Sequence, residues 1–217
     1  MEKVTSFMPE DTFHTLSQEA VDYYQTNGFV RVREIIRREE VAKFREAALG
    51  YANDRKNQRH SDSAIFVQLV NVWRNEAMMK QLTFHPNITA AATKLAGVPL
   101  RLWHDQILIK QPEESKATEF HQDQPYWPHT DSPNPISCWI ALCDVPVERG
   151  CMTFLPGSQR YSDLEAQDVT DSHSLFSICP DLQWSERVTV PLHAGDCTFH
   201  HGRSAHMATP NLTDKPR

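Results

Sequence analysis

Glycine is scarce in this chain, with seven glycines against fourteen prolines in 217 residues. Frequent proline with little glycine predicts many short elements broken by turns, as in an all-β or α+β fold. No stretch approaches the ~18 consecutive apolar residues that a membrane-crossing helix needs. The opening residues MEKVTSFMPEDTF are acidic and lack the apolar segment of a secretory signal. There is no C-x-x-C pair, and the five cysteines (Cys138, Cys143, Cys151, Cys179 and Cys197) are odd in number and sit mostly in apolar runs. They read as buried thiols of a reducing compartment, not as a disulfide framework. A basic surplus is missing too. The net charge of −6, spread without long runs, gives no footprint for nucleic acid or an anionic membrane. Together these absences predict a cytoplasmic protein with no nucleic-acid or membrane partner, and they leave the oligomeric state open.

The first half of the chain reads as helices around one strand. Ser17 before Gln18-Glu19 is a helix start and Asn27-Gly28 a helix stop. FVRVREI (29–35) alternates apolar and basic residues, the period of a half-buried strand. Residues 38–55 return to a helical period with Val41, Phe44, Ala48 and Leu49 inward, and NDRKNQRHSDS (53–63) is a polar loop. Residues 74–97 are helical with a break at His85-Pro86. From about residue 99 short strand patterns take over, in LRLWHDQILIK, SCWIALCDV, CMTFLPG, RVTVPL and DCTFHH. No repeat or interdomain linker interrupts them, so the expectation is one α+β domain over 1–217, helices first and a β-rich half after.

The chemistry is concentrated in EFHQDQPYW (119–127). On a strand, alternate side chains share a face, so His121 and Asp123 point one way and Gln122 the other. An imidazole and a carboxylate together are two-thirds of the 2-His-1-carboxylate set that holds non-haem Fe(II) and keeps coordination positions open. An H-x-D pair is also common by chance. A third ligand has to come from His200, His201 or His206 in AGDCTFHHGRSAHMATPN (194–211). His206 stands eleven residues before Arg217, with Pro210-Asn211-Leu212-Thr213 between them as a turn. A hairpin centred there would set His206 and Arg217 opposite each other, roughly 5 Å apart. An arginine so close to a metal ligand calls for a bound anion, which its planar fork is shaped to hold.

EFHQDQPYW, SCWIALCDVPVERGCMTFLPGSQR (137–160) and HAGDCTFHHGRSAHMATPN…R (193–217), preceded by NGFVRV and REEV, resemble the phytanoyl-CoA dioxygenase family of Fe(II)- and 2-oxoglutarate-dependent oxygenases. The resemblance implies a β-rich α+β fold, a double-stranded β-helix (jelly-roll) core with flanking N-terminal helices. It implies Fe(II) held by His121, Asp123 and His206, with 2-oxoglutarate and O2 as cosubstrates and a small molecule as substrate. Arg217 would take the distal carboxylate of 2-oxoglutarate, Trp139 would line its pocket, and Gln106 would add a further contact. Where the family often has a serine two residues after the distal histidine this chain has Ala208. Either Thr209 supplies that hydroxyl or one bond to the cosubstrate is missing. The family continues beyond the position of Arg217, which predicts a chain lacking the closing strand.

The intact Asp123 disfavours halogenation, which in related enzymes needs a small residue there, and so predicts hydroxylation with release of succinate and CO2. The alternatives are another chemistry on a metal-binding jelly roll (an isomerase or hydrolase) and a non-catalytic binding module. Tyr126, Trp127 and His129 follow the metal motif and are expected at the substrate, with the loop at 53–63 as a further wall or lid. His104 and His193 read as structural or surface histidines. Nothing marks a phosphate site for a CoA ester.

Overall fold

The computed structural model describes residues 8–13, 16–54, 66–112, 115–129 and 131–217. Ser17 caps α1 (Gln18–Asn27) as the sequence predicts: its hydroxyl accepts from Ala20 N at 3.0 Å and donates to Asp11. The helix stops at Gly28, whose φ of 82° is left-handed and open to glycine at little steric cost. That turn feeds the chain directly into β1 (Phe29–Val32). In α2 (Arg38–Asn53) the buried residues are Val41, Phe44 and Ala48, while Leu49 is only half-buried. After β2 (Val67–Val70), α3 (Ala77–Thr83) ends before His85-Pro86, and α4 (Pro86–Ala96) begins at that proline. Proline suits the first turn of a helix because it has no N–H to leave unpaired.

The remaining elements are β3 (Gln106–Ile109), β4 (Thr118–His121), β5 (Ile136–Ile140), β6 (Met152–Phe154), α5 (Ser174–Ile178), β7 (Val188–Val190), β8 (Cys197–His201) and β9 (His206–Ala208). All ladders between these strands are antiparallel. One sheet has the order β1-β8-β5, a second β4-β9-β6-β7, and β2 and β3 form a separate pair. β5 is half-buried along its length, where the apolar run SCWIALCDV predicts a buried strand.

The two larger sheets meet through aromatic side chains. Phe29 of β1 stacks on Phe154 of β6, ring centroids 4.4 Å apart at 7°, and both are fully buried. The helices and the two sheets thus enclose a shared core, the arrangement of a double-stranded β-helix with N-terminal helices. Replacing Phe29 with alanine removes the ring that joins the sheets and is expected to cost about 3–5 kcal/mol, because the surroundings relax only partly into such a cavity. Urea denaturation of the variant measures this, and a loss below about 1 kcal/mol would mean the sheets are held together elsewhere. All five cysteines are free thiols. No helix among the described residues is long and apolar enough to cross a membrane.

Candidate active site

His121 is the last residue of β4 and stands opposite His206, the first residue of β9. The ladder slips between Thr118 and His121, an irregularity of the kind that re-aims a side chain at a strand end. Asp123 is not in the strand. Its backbone is helical (φ −72°, ψ −41°) and it opens a short 3-10 turn, Gln124–Tyr126. The pair therefore converges because the strand ends between the two residues, and simple alternation is not the cause.

Gln122 fixes this bend. It is buried, and its amide donates to the carbonyls of Arg203 (2.7 Å), Tyr161 (2.9 Å) and Ser158 (3.3 Å), while its backbone N–H donates to Gln167 Oε1 at 2.7 Å. With Gln122 anchored on one side, its two neighbours face the other. Sequence reading placed Gln122 away from the metal motif but gave it no function.

The ligand atoms of His121, Asp123 and His206 all lie within 4.8 Å of one another. Both histidines are buried, and each commits Nδ1–H to a backbone carbonyl: His121 to Glu119 at 2.7 Å, His206 to Ser204 at 3.0 Å. That leaves both Nε2 lone pairs facing Asp123 Oδ1, at 3.6 and 3.9 Å. A carbonyl that fixes the tautomer in this way is the usual support of a metal-bound imidazole. Burial pushes His206 down to about 3, so it is neutral at physiological pH and free to ligate. Burial acts to raise the Asp123 carboxyl, but the facing imidazoles of His206, His121 and His200 outweigh it and hold the group well below the usual carboxylate range. Two imidazoles with open Nε2 positions and one carboxylate fit a divalent cation such as Fe(II).

His200 and His201 occupy successive positions on β8 and so point oppositely. His201 turns away from the triad: its Nδ1 accepts from Arg203 N at 3.0 Å, and burial drives it down to about 4. His200 turns inward, 3.4 Å from Asp123.

The expected His206–Arg217 hairpin is not formed. The cross-strand partners of His206 are His121 and Phe154. Arg217 instead exchanges two backbone hydrogen bonds with Lys110, at 2.7 and 3.0 Å. The reason lies at Asn211, which is fully buried and is no exposed turn residue. Its side-chain amide donates to the carbonyls of Lys110 and Lys215 and its Oδ1 accepts from Thr213, drawing the chain away from β9 toward the end of β3. β9 is already paired on both edges, by β4 and β6, and has none left for a returning strand.

Arg217 still ends beside the residues assigned with it. Its guanidinium lies 5.1 Å over the Trp139 ring and donates to Gly150 O at 2.6 Å, while its Nε is buried with no partner among the described residues. Gly150 has a φ of +80°, and a Cβ there would meet the guanidinium nitrogens at 3.0 and 3.1 Å. Burial pulls Arg217 down to about 10, which leaves it charged at neutral pH. A half-buried guanidinium with an open Nε fits a carboxylate such as that of 2-oxoglutarate. Thr209 donates its hydroxyl to Val147 O at 2.8 Å. Gln106 bonds His104 at 2.6 Å and Gln68 at 2.9 Å.

Lys110 is fully buried beside this cation and donates to Lys116 O at 2.6 Å. Burial first, and Arg217 second, lower its ammonium to about 7. An unfolded lysine keeps its proton to about 10.4, so above neutral pH the unfolded chain binds more protons and stability rises with pH. The buried thiols of Cys151, pushed up to about 11, and Cys197, also raised, reverse the slope once unfolded cysteines ionise. We expect the urea midpoint of the metal-free protein to rise between pH ~7 and ~8.5, and to stay flat over that window in Lys110→Met. A flat wild-type profile would contradict the buried, weakly charged ammonium.

A cleft of about 420 Å³ is lined by Arg74, Trp103, His104, Gln106, Tyr126 and Trp127 among others, with none of the triad in its wall. The Tyr126 ring is 6.3 Å from that of His121, and its hydroxyl donates to Gln167 O. Tyr126 and Trp127 thus stand in the cleft wall. His129 stacks on Trp127 at 5.4 Å and meets the edge of Trp103 at 4.7 Å. His104, read as structural or surface, lines the cleft; Trp103 was not singled out, since both lie far from the metal motif in sequence. Of the suggested lid at 53–63, residues 55–63 lie outside the described residues.

A double-stranded β-helix carrying two histidines and a carboxylate that converge at one end is the arrangement of the Fe(II)/2-oxoglutarate-dependent oxygenase class. The sequence profile of the phytanoyl-CoA dioxygenase (PhyH) family matches residues 24–217. The chain belongs to that family. Among solved structures it is similar to the non-haem α-ketoglutarate-dependent carbocyclase SnoK from nogalamycin biosynthesis, at 34% identity and a TM-score of 0.82, over 96% of this chain and 83% of that one. It is also similar to the epimerase SnoN from the same biosynthesis, at 36% identity and a TM-score of 0.81, over 92% of this chain and 79% of that one. The peroxisomal phytanoyl-CoA dioxygenase of Rattus norvegicus is 22% identical over 96% of this chain and 69% of its own length.

The expectation of a cytoplasmic protein is corrected by these relatives. The rat protein and its counterparts from Mus musculus, Homo sapiens and Bos taurus are named peroxisomal. Those four relatives thus carry an organelle's name, and lack of an apolar span gives no address, because such import signals are read by receptors.

Proposed function

We propose that the chain is an Fe(II)- and 2-oxoglutarate-dependent enzyme that removes hydrogen from a C–H bond of a ring-bearing small molecule, leading to inversion of a stereocentre or closure of a ring. The observation that carries the metal chemistry is the convergence of His121, Asp123 and His206 on one point with both Nε2 atoms free. When bound, Fe(II) with 2-oxoglutarate and O2 supplies the oxidant, and succinate and CO2 leave. The protein's part is placement. His121, Asp123 and His206 hold the ion, Arg217 above Trp139 holds the distal carboxylate, and Trp103, Tyr126 and Trp127 seat the substrate's ring face against aromatic walls.

The outcome follows from how the substrate carbon is held after it loses hydrogen. Ring closure gives up a second hydrogen and both leave as water, whereas inversion returns a hydrogen to the carbon and needs two electrons from an added reductant such as ascorbate. The similarity to a carbocyclase and an epimerase, each above 30% identity, supports closure or inversion over the hydroxylation expected from the sequence. Hydroxylation is the second reading, favoured by the intact Asp123 and the dioxygenase relatives. Incubation with Fe(II), 2-oxoglutarate, a reductant such as ascorbate and isotopically labelled O2, over a panel of polycyclic and glycosylated compounds, decides between them. Succinate release with an unlabelled product of equal mass, or one two hydrogens lighter, is the expected result. A product carrying one labelled oxygen would establish hydroxylation, and no Fe(II) binding under anaerobic titration would sink both readings.

A further inference from the structure

Asp123 has two oxygens and three imidazoles around it. Oδ1 faces the Nε2 atoms of His121 and His206, at 3.6 and 3.9 Å, while Oδ2 faces His200 Nε2 at 3.4 Å. His200 is buried in β8, directly across from Phe29 of β1 on one side and Ser137 of β5 on the other. Its ring is hemmed in by those of Phe154 (5.6 Å) and His206 (4.8 Å). Its Nδ1 is buried with no partner among the described residues. A buried imidazole nitrogen without a partner is uncommon and calls for an explanation. Phenylalanine or leucine would fill the same space beside Phe29 and Phe154 and leave no polar atom stranded. The one polar contact of the ring among the described residues is Asp123 Oδ2.

We propose that His200 is a positioning residue. It donates Nε2–H to Oδ2 of Asp123 and so confines the carboxylate to ligation through Oδ1 alone. A carboxylate can grip a cation with one oxygen or two. A two-oxygen grip at this site would take a position that 2-oxoglutarate or O2 needs. His200 is unsuited to be a fourth ligand itself, because Oδ2 lies in front of its Nε2 and its ligand atoms fall outside the cluster formed by His121, Asp123 and His206. The inference rests on the metal chemistry proposed above.

The test compares His200→Phe and His200→Met, which lack the donor, with His200→Gln, which keeps one. Fe(II) affinity is measured anaerobically, along with the visible charge-transfer band that forms when 2-oxoglutarate chelates the ion. Variants that melt like the metal-free wild type are compared. The donor-free variants should bind Fe(II) about 10–100-fold more weakly, with a shifted or missing band, and His200→Gln should recover most of the affinity. Equal affinity and an unchanged band in a folded donor-free variant would overturn the proposal. Should neither donor-free variant fold, a crystal structure of wild-type protein with Fe(II) and 2-oxoglutarate decides it: Asp123 bound through one oxygen with the other on His200 supports the role, and a two-oxygen grip refutes it. Failure of the wild type to bind Fe(II) would instead defeat the metal reading itself.

Discussion

Asp123→Ala is expected to give a folded protein that releases no succinate from 2-oxoglutarate and binds Fe(II) more than about 100-fold more weakly, beyond the loss usual for a supporting group. The size of the effect follows from charge. Asp123 is the one anionic member of the cluster formed with His121 and His206, and it is ionised at any pH where the protein works. Without it two neutral imidazoles face a divalent ion with nothing to offset its charge, and the low-dielectric surroundings magnify that loss. His206→Ala should weaken binding in the same direction, because it removes one of the two imidazoles that would hold the ion. His201→Ala is the contrast: its ring is bonded to Arg203 N and turned from the cluster, so Fe(II) affinity should stay near wild type. Anaerobic titration followed by a succinate assay reads all three. Wild-type Fe(II) affinity in Asp123→Ala would mean that the ion sits elsewhere.

Arg217→Leu should raise the KM for 2-oxoglutarate by about 100-fold or more while Fe(II) affinity holds, as expected for losing roughly 3 kcal/mol of charge-assisted hydrogen bonds. The guanidinium is held in place before any anion arrives. Trp139 lies beneath it, Gly150 O accepts one N–H, and Nε is left open. Lysine is a poor substitute because it lacks the planar fork, so Arg217→Lys should recover only part of the loss. Gly150→Ala tests the seat of the arginine without altering its charge. A Cβ at 3.0 Å from the guanidinium, on a backbone at φ +80°, should push Arg217 aside and raise the same KM by a smaller factor. A separate isomerase or hydrolase chemistry has no use for this arginine, so unchanged 2-oxoglutarate turnover in Arg217→Leu would favour that alternative.

The contrast between His206 and Arg217 shows how far a sequence can be read. The spacing of eleven suggested a hairpin, but His206 pairs with His121 and Phe154 while Arg217 packs on Trp139. β9 lies between β4 and β6, and Arg217 pairs instead with Lys110. His200 shows the same limit. Chemistry alone made it a rival third ligand, and only its place on β8, on the face opposite to that of His201, assigns it to the far oxygen of Asp123.

What the sequence determined by itself is local. Ser17 and Gly28 bound the first helix, Pro86 opens the fourth, and the ligand types in H-x-D and His206 limit the chemistry to a divalent ion. Each follows from one residue's donors, acceptors or backbone preference, which travel with the residue. The tertiary structure alone decided that Asp123 leaves the strand, that Gln122 anchors the bend, and that Trp103 and His104 join Tyr126 and Trp127 around one cleft. Those are neighbours across strands and loops distant in sequence, and strand order is set by the burial of the whole core, which no short pattern encodes.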